Sequence, residues 1–223
     1  ICSFICLTLS LLALLSSAHA EICSGDNWCW QNPLPQGNPL ETVWGTASDN
    51  VYTVGSAGTI LHYDGSSWSR VSSGTCHALK GIWGLSANQI WASGANGTVL
   101  NYNGSSWSAA TSGTSETLNA IWGASASDIY AVGDNQTGVH FNGSAWSTFQ
   151  VGSLDQYAIW GSSASDIYVG GEDGLIHYDG SAWSVLSLVY PCGYTSCYAG
   201  GNYRSVWGDA LNPISVFAAS GRD

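Results

Sequence analysis

The sequence predicts an all-β fold, a β-propeller of four-stranded blades, and three observations predict it. The chain repeats itself: Trp-Gly pairs stand at Trp44, Trp83, Trp122, Trp160 and Trp207, at spacings of 39, 39, 38 and 47 residues. A second tryptophan series, Trp68, Trp107, Trp146 and Trp183, keeps step with the first. A fixed period of about forty residues marks a stacked array of supersecondary units. An Asn-Gly or Asp-Gly pair also follows a strand-like run in each unit, at Asp64-Gly65, Asn103-Gly104, Asn142-Gly143 and Asp179-Gly180. A type I′ turn needs positive φ at both central residues, which such pairs supply at least cost, so four type I′ hairpins are expected. Finally, the second strand is apolar at nearly every position, as in Ile129-Tyr130-Ala131-Val132 and Ile167-Tyr168-Val169. A sheet with one wet face would alternate, so these strands read as covered on both faces by neighbouring sheets around an axis.

The third unit shows the elements in order. Leu118–Trp122 is a short apolar strand ended by Gly123, and Ala124–Ser127 is a turn. Asp128–Val132 is the second strand, a Gly-bearing loop runs from Gly133 to Gly138, and Val139–Phe141 is the third strand. After Asn142-Gly143 comes the fourth strand, from Trp146. One such unit cannot bury its apolar faces alone, so stacking is obligatory. Trp28-Cys29-Trp30 precedes Trp44 at nearly the distance that separates Trp68 from Trp83. Residues 21–40 therefore read as a segment whose strand completes the last blade, closing the ring without an open edge. Residues 41–223 read as the propeller repeats. The strand pair around Val206-Trp207 and Ile214–Ala218 has no hairpin after it, so the expectation is four complete blades plus partial ones, a truncated piece of a larger propeller. The stretch from Trp183 to Trp207 is longer than its counterparts and holds Tyr190, Tyr194, Tyr198 and Tyr203. That insertion joins an outermost strand to the next innermost one, on the face that carries the loops Gly55–Gly58, Gly94–Gly97, Gly133–Gly138 and Gly171–Gly174. Departures from a repeat map to loops, often on the binding face.

Ile1–Leu15 is apolar and leads to Ser16-Ser17-Ala18-His19-Ala20, so residues 1–20 read as a signal peptide. The apolar run is shorter than the roughly 20 residues a membrane helix needs, and no membrane span is expected. The mature chain is expected to be secreted, extracellular or periplasmic. It would keep Cys23, Cys29, Cys76, Cys192 and Cys197 in an oxidising compartment. Cys192 and Cys197 are the best candidates for a local disulfide and Cys23 and Cys29 the next, which makes Cys76 the odd one by count. Fifteen acidic against four basic residues, a formal charge of −11, repel phosphate backbones and disfavour nucleic acid as a partner.

The pattern Trp122-Gly123, Asp128–Gly133, with Ile60-Leu61-His62-Tyr63-Asp64-Gly65-Ser66-Ser67-Trp68, resembles the Trp-Gly-rich propeller repeats of exported bacterial proteins. It is also similar to photosystem-assembly-factor-like and Asp-box propellers, although Asp64 to Trp68 is one residue shorter than an Asp-box. The run Trp68, Gly74, Leu79, Trp83-Gly84, Ile90-Trp91, Trp107 resembles tectonin-type lectins, which implies recognition of surface sugars. Likeness to Asp-box propellers raises sialidase chemistry, which needs an arginine cluster for the substrate carboxylate. Arg70, Arg204 and Arg222 are at non-equivalent positions and no Tyr-Glu pair is identifiable, so no catalytic residues, cofactor or metal site are assigned.

His62, His140 and His177 recur at one strand position and read as structural groups bonded to their neighbours, whereas His77 is out of register and lacks a triad. The recurring tryptophans read as packing between blades. Candidate ligand-binding residues are therefore the non-repeated aromatics Tyr157, Tyr190, Tyr194, Tyr198 and Tyr203, with the loop acids Asp134, Glu172 and Asp173. The expectation is a non-catalytic exported propeller presenting one loop face to a protein or glycan at a cell surface. The alternatives are a tectonin-like lectin, and the propeller part of a secreted hydrolase or lyase.

Overall fold

The computed structural model describes residues 37–186, 189–192, 195–198, 202–209 and 212–220. The expected signal peptide, Trp28, Trp30, Cys23, Cys29 and Tyr194 lie outside the described residues. Four antiparallel sheets follow one another, each with its strands in chain order. Blade 1 is β1 (Leu40–Ala47), β2 (Asn50–Gly55), β3 (Thr59–Tyr63) and β4 (Trp68–Val71). Blade 2 is β5 (Leu79–Ser86), β6 (Gln89–Gly94), β7 (Val99–Tyr102) and β8 (Trp107–Ala110). Blade 3 is β9 (Leu118–Ser125), β10 (Asp128–Gly133), β11 (Thr137–Phe141) and β12 (Trp146–Gln150). Blade 4 is β13 (Gln156–Ser163), β14 (Asp166–Gly171), β15 (Gly174–Tyr178) and β16 (Trp183–Leu186). The insertion holds a hairpin, β17 (Val189–Cys192) and β18 (Thr195–Tyr198), and a further pair follows, β19 (Tyr203–Asp209) and β20 (Asn212–Ser220).

The first strands β1, β5, β9, β13 and β19 pack successively against one another, which makes them the innermost strands of a ring-like array. The second strands are buried along most of their length, as their continuous apolar run requires. The Trp-Gly dipeptide now has a cause. A Cβ on Gly84, Gly123, Gly161 or Gly208 would fall 2.5, 2.8, 2.6 or 2.5 Å from the indole of Trp44, Trp83, Trp122 or Trp160 respectively. Each tryptophan therefore lies flat on the glycine of the following blade, and only a residue without a side chain admits it. Trp207 is the exception in the series, 60% exposed. The second tryptophan series reaches the other way: Trp107 meets Tyr52, Trp146 meets Trp91, and Trp183 stacks on Phe149, each in the preceding blade. Aromatic contacts thus clamp each junction from both sides.

Hairpins form at all four expected places, but not as type I′ turns. Tyr63, Tyr102, Phe141 and Tyr178 pair directly with Trp68, Trp107, Trp146 and Trp183, leaving four-residue loops. Only the glycines, at φ of +92, +92, +91 and +90°, adopt the left-handed region; the preceding Asp or Asn does not. That residue serves instead as an acceptor. Asp64 Oδ1 takes the N–H of Ser66 (2.9 Å), the N–H of Ser67 (2.8 Å) and the hydroxyl of Ser66 (2.7 Å). Asn103, Asn142 and Asp179 repeat the arrangement. A side-chain oxygen thus receives the N–H that a β-turn would offer its backbone carbonyl.

The two aspartates make this testable. Hydrogen bonds from the Ser66 hydroxyl and the Ser67 and Ser66 amides hold Asp64 down at about 2, and Ser181 and Ala182 do the same for Asp179. A carboxyl held below its ordinary 3.8 in the folded state stabilises above that value, and the contribution is lost as pH falls through about 2. In an NMR titration the Ser66 and Ser181 amides are expected to move with midpoints near 2. Ser105 and Ser144, which face asparagines, should show no such step, and the step should vanish in Asp64→Asn.

Candidate functional site

Every first strand carries a β-bulge at its second residue. The pairing register with the second strand slips between Leu40 and Thr42, Leu79 and Gly81, Leu118 and Ala120, Gln156 and Ala158, and Tyr203 and Ser205. The extra residues are Glu41, Lys80, Asn119, Tyr157 and Arg204. The glycine ending each second strand permits the close approach: a Cβ on Gly55, Gly94 or Gly133 would lie about 2 Å from the carbonyl of Pro39, Ala78 or Thr117. Bulges re-aim side chains and concentrate at functional sites. Here they set five chemically different groups at the loop-face end of the innermost strands, two positions before an Ile/Val-Trp-Gly stretch that hardly changes.

Two of these rim residues bond the first residue of their own blade's loop. Asn119 Nδ2 donates to Asp134 Oδ1 (2.7 Å) and across the junction to the Gln156 carbonyl (3.0 Å). Tyr157 donates its hydroxyl to Glu172 Oε1 (2.9 Å), while the Arg204 guanidinium of the next strand pair lies 4.5 Å over the Tyr157 ring. Burial, then the bond to Glu172 and the nearby carboxylates, push the Tyr157 phenol up to about 12, with Arg204 opposing. From blade 3 to β19 the rim links donors, acceptors and charge.

The remaining sequence candidates fall elsewhere. Asp173 is a structural acceptor: it receives the Ser153 and Leu154 amides, the Ser153 hydroxyl and Gln156 Nε2. Burial pushes its carboxyl up, but these bonds outweigh it and hold the carboxyl below its ordinary value. Tyr203, expected on a binding loop, starts β19 and is only 6% exposed, packed beside Gly170. Too little of its ring faces solvent to serve as a stacking platform. Tyr190 lies in β17 opposite Cys197, and Tyr198 in β18 opposite Val189. Cys192 is opposite Thr195, so the backbone does not set it directly across from Cys197; their side chains are outside the described residues. Cys76 is half-buried between blades 1 and 2. Among the described residues, no group of three or more His, Cys, Asp or Glu side chains is placed to hold a metal ion. Nor is any helix there long and apolar enough to cross a membrane.

The recurring histidines bond their neighbours. His62 meets Asn50 at 2.8 Å, His140 meets Asp128 at 2.5 Å and His177 meets Asp166 at 2.7 Å. Each imidazole stacks on the tyrosine beside it, Tyr52, Tyr130 or Tyr168. The same triplet in three blades joins the second strand to the third. His77 takes a different place, bonding Thr98 (3.0 Å) and Asn96 (3.2 Å) at the edge of a loop-face groove of about 630 Å³.

Sequence reasoning singled out Tyr157 and, separately, Glu172, but not Glu41, Lys80, Asn119 or Arg204. A signal existed: all five rim residues stand three positions before a tryptophan of the Trp-Gly series.

No protein-family model matches the chain, and no curated protein matches it by sequence. Solved structures do. YCF48 bound to D1 peptide superposes with a TM-score of 0.59 at 11% identity, over 87% of this chain and 65% of that one. U3-55K does so with a TM-score of 0.58 at 11% identity, over 75% of this chain and 54% of that one. An ancestral GH74 enzyme does so with 0.55 at 17%, over 71% and 25%. The chain spans less than two thirds of the length of each. At such identities the likeness is one of fold, and together with the four antiparallel four-stranded sheets it makes this chain an all-β propeller.

Proposed function

We propose that this chain is a non-catalytic recognition module, exported from the cell, whose loop face binds a segment of a protein displayed at a surface. One observation carries the reading: the differences between blades collect at the bulged rim and its loops, while the opposite face repeats one hairpin turn four times. Variation at one end of an otherwise regular array is what a binding face requires. A protein segment is favoured over a glycan because sugar stacking needs an open aromatic face. Of the candidate aromatics whose side chains are described, Tyr157 has Arg204 over one face of its ring and Tyr203 is buried. A propeller of this fold, YCF48, has been seen bound to a peptide. The likeness to a GH74 enzyme covers a quarter of that chain and supports no catalytic assignment here.

The test is binding of the mature protein to peptide and glycan arrays. Peptides are expected to bind, and Tyr157→Ala or Arg204→Ala should weaken them about tenfold, the scale of a central interface residue. Ser66→Ala, on the opposite face, should leave binding unchanged. Binding of glycans alone, or equal loss from both faces, would overturn the reading.

A further inference from the structure

One rim pair lacks its acid. In blades 3 and 4 the bulged residue donates to the carboxylate that opens its own loop, Asn119 to Asp134 and Tyr157 to Glu172, each fifteen positions further on. Blade 2 keeps the donor and omits the acceptor: Lys80 is the bulged residue, and the residue fifteen positions on is Ala95. Lys80 is half-buried and makes no hydrogen bond or ion pair among the described residues. An ammonium carries three donors and no acceptor, so one without a protein partner is open to an anionic ligand. In a chain with fifteen acids, four bases and a formal charge of −11, a lysine that forms no ion pair among the described residues is a departure. The residues after Ala95, Asn96 to Leu100, wall the groove of about 630 Å³, so one loop borders both features. Glu41 and Asn119, with its Asp134, occupy the rim positions to either side of Lys80, which suits one carboxylate and disfavours an acidic run.

We propose that Lys80 is a ligand-binding residue which, beside Ala95, receives one carboxylate of a bound peptide, from an acidic side chain or from its C-terminus. This rests on the loop face being a peptide-binding face. The ligand completes in blade 2 the donor–carboxylate pair that blades 3 and 4 build for themselves.

The test uses fluorescein-labelled octapeptide pools that are randomised except for a fixed Glu or Gln, each made with a free or an amidated C-terminus. Wild-type protein is expected to bind a carboxylate-bearing pool about tenfold tighter than its neutral counterpart, the scale of a charge-assisted hydrogen bond. The Glu against Gln arm and the acid against amide arm say which carboxylate is read. Ala95→Asp installs the acid of blades 3 and 4, and Lys80→Gln removes the charge; either should bring the ratio to about one while the near-ultraviolet circular dichroism stays unchanged. A preference that survives both substitutions, or a wild type that binds every pool equally, overturns the role of Lys80 and leaves the loop-face reading intact. Failure of every pool to bind the wild type overturns both.

Discussion

Gly161→Ala is expected to destabilise the propeller by about 2–3 kcal/mol, as overpacking a filled junction does. The added methyl would lie 2.6 Å from Cη2 of Trp122 and 2.9 Å from the Asp166 carbonyl. Trp122 belongs to the same buried cluster as Val132, Ile159, Ile167 and Val169, so moving the indole away from the methyl would disturb that packing. Trp122→Ala should cost about 3–5 kcal/mol through the cavity it leaves. The decisive measurement is the combination of Gly161→Ala with Trp122→Leu in urea unfolding. With the ring removed the methyl has room, so the double variant should be more stable than the two single losses predict by about 1 kcal/mol. Gly37→Ala, where no atom lies within 4 Å of an added Cβ, should be neutral. Strict additivity would mean that Trp122 does not rest on Gly161.

Asp173→Ala should be the next most damaging change, at about 1–2 kcal/mol, because it takes one of two acceptors from the buried Gln156 amide, while the exposed Ser153 and Leu154 amides can turn to water. The carboxylate receives the Ser153 amide at 2.7 Å, the Leu154 amide at 2.8 Å and Gln156 Nε2 at 2.9 Å. Gln156 is fully buried, and among the described residues its Nε2 donates to Asp173 and the Leu154 carbonyl. Asp173→Asn keeps one acceptor oxygen and should lose less. The folded carboxyl sits below its ordinary value of 3.8, so its stabilisation is present above that value and is lost as pH falls through the lower folded one. Unfolding curves taken down a pH series should therefore show wild type and Asp173→Asn converging in acid. A gap that widens as the pH drops would contradict the role given to this carboxylate.

The hairpin loops show where local reading succeeds for an incomplete reason. Asp64-Gly65 and its equivalents mark turns correctly, because Gly65 does need positive φ. Yet the aspartate contributes a side-chain acceptor to Ser66 and Ser67, which composition does not distinguish from a second left-handed residue. Tyr157 was legible as an aromatic outside the repeat, but its role at the rim was not. That depends on Arg204, forty-seven positions away across a long insertion. Tyr203 was legible as an aromatic of the insertion but not as a core residue, for the same cause: the end of the insertion is already the start of β19, where Tyr203 is buried.

The sequence by itself determined the array, its period, the four strands of each blade and their order from axis to edge, because these follow from the spacing of apolar runs and turn residues along a covalent chain. Only the tertiary structure decided that Trp122 lies on Gly161, that Asp173 gathers four donors, and that Lys80 stands at a bulged rim position with no ion pair among the described residues. Those outcomes depend on register between strands and on the approach of one blade to the next. Both are set by distances between residues that are far apart in the chain, so the recurring positions mark where such contacts fall without saying what meets there.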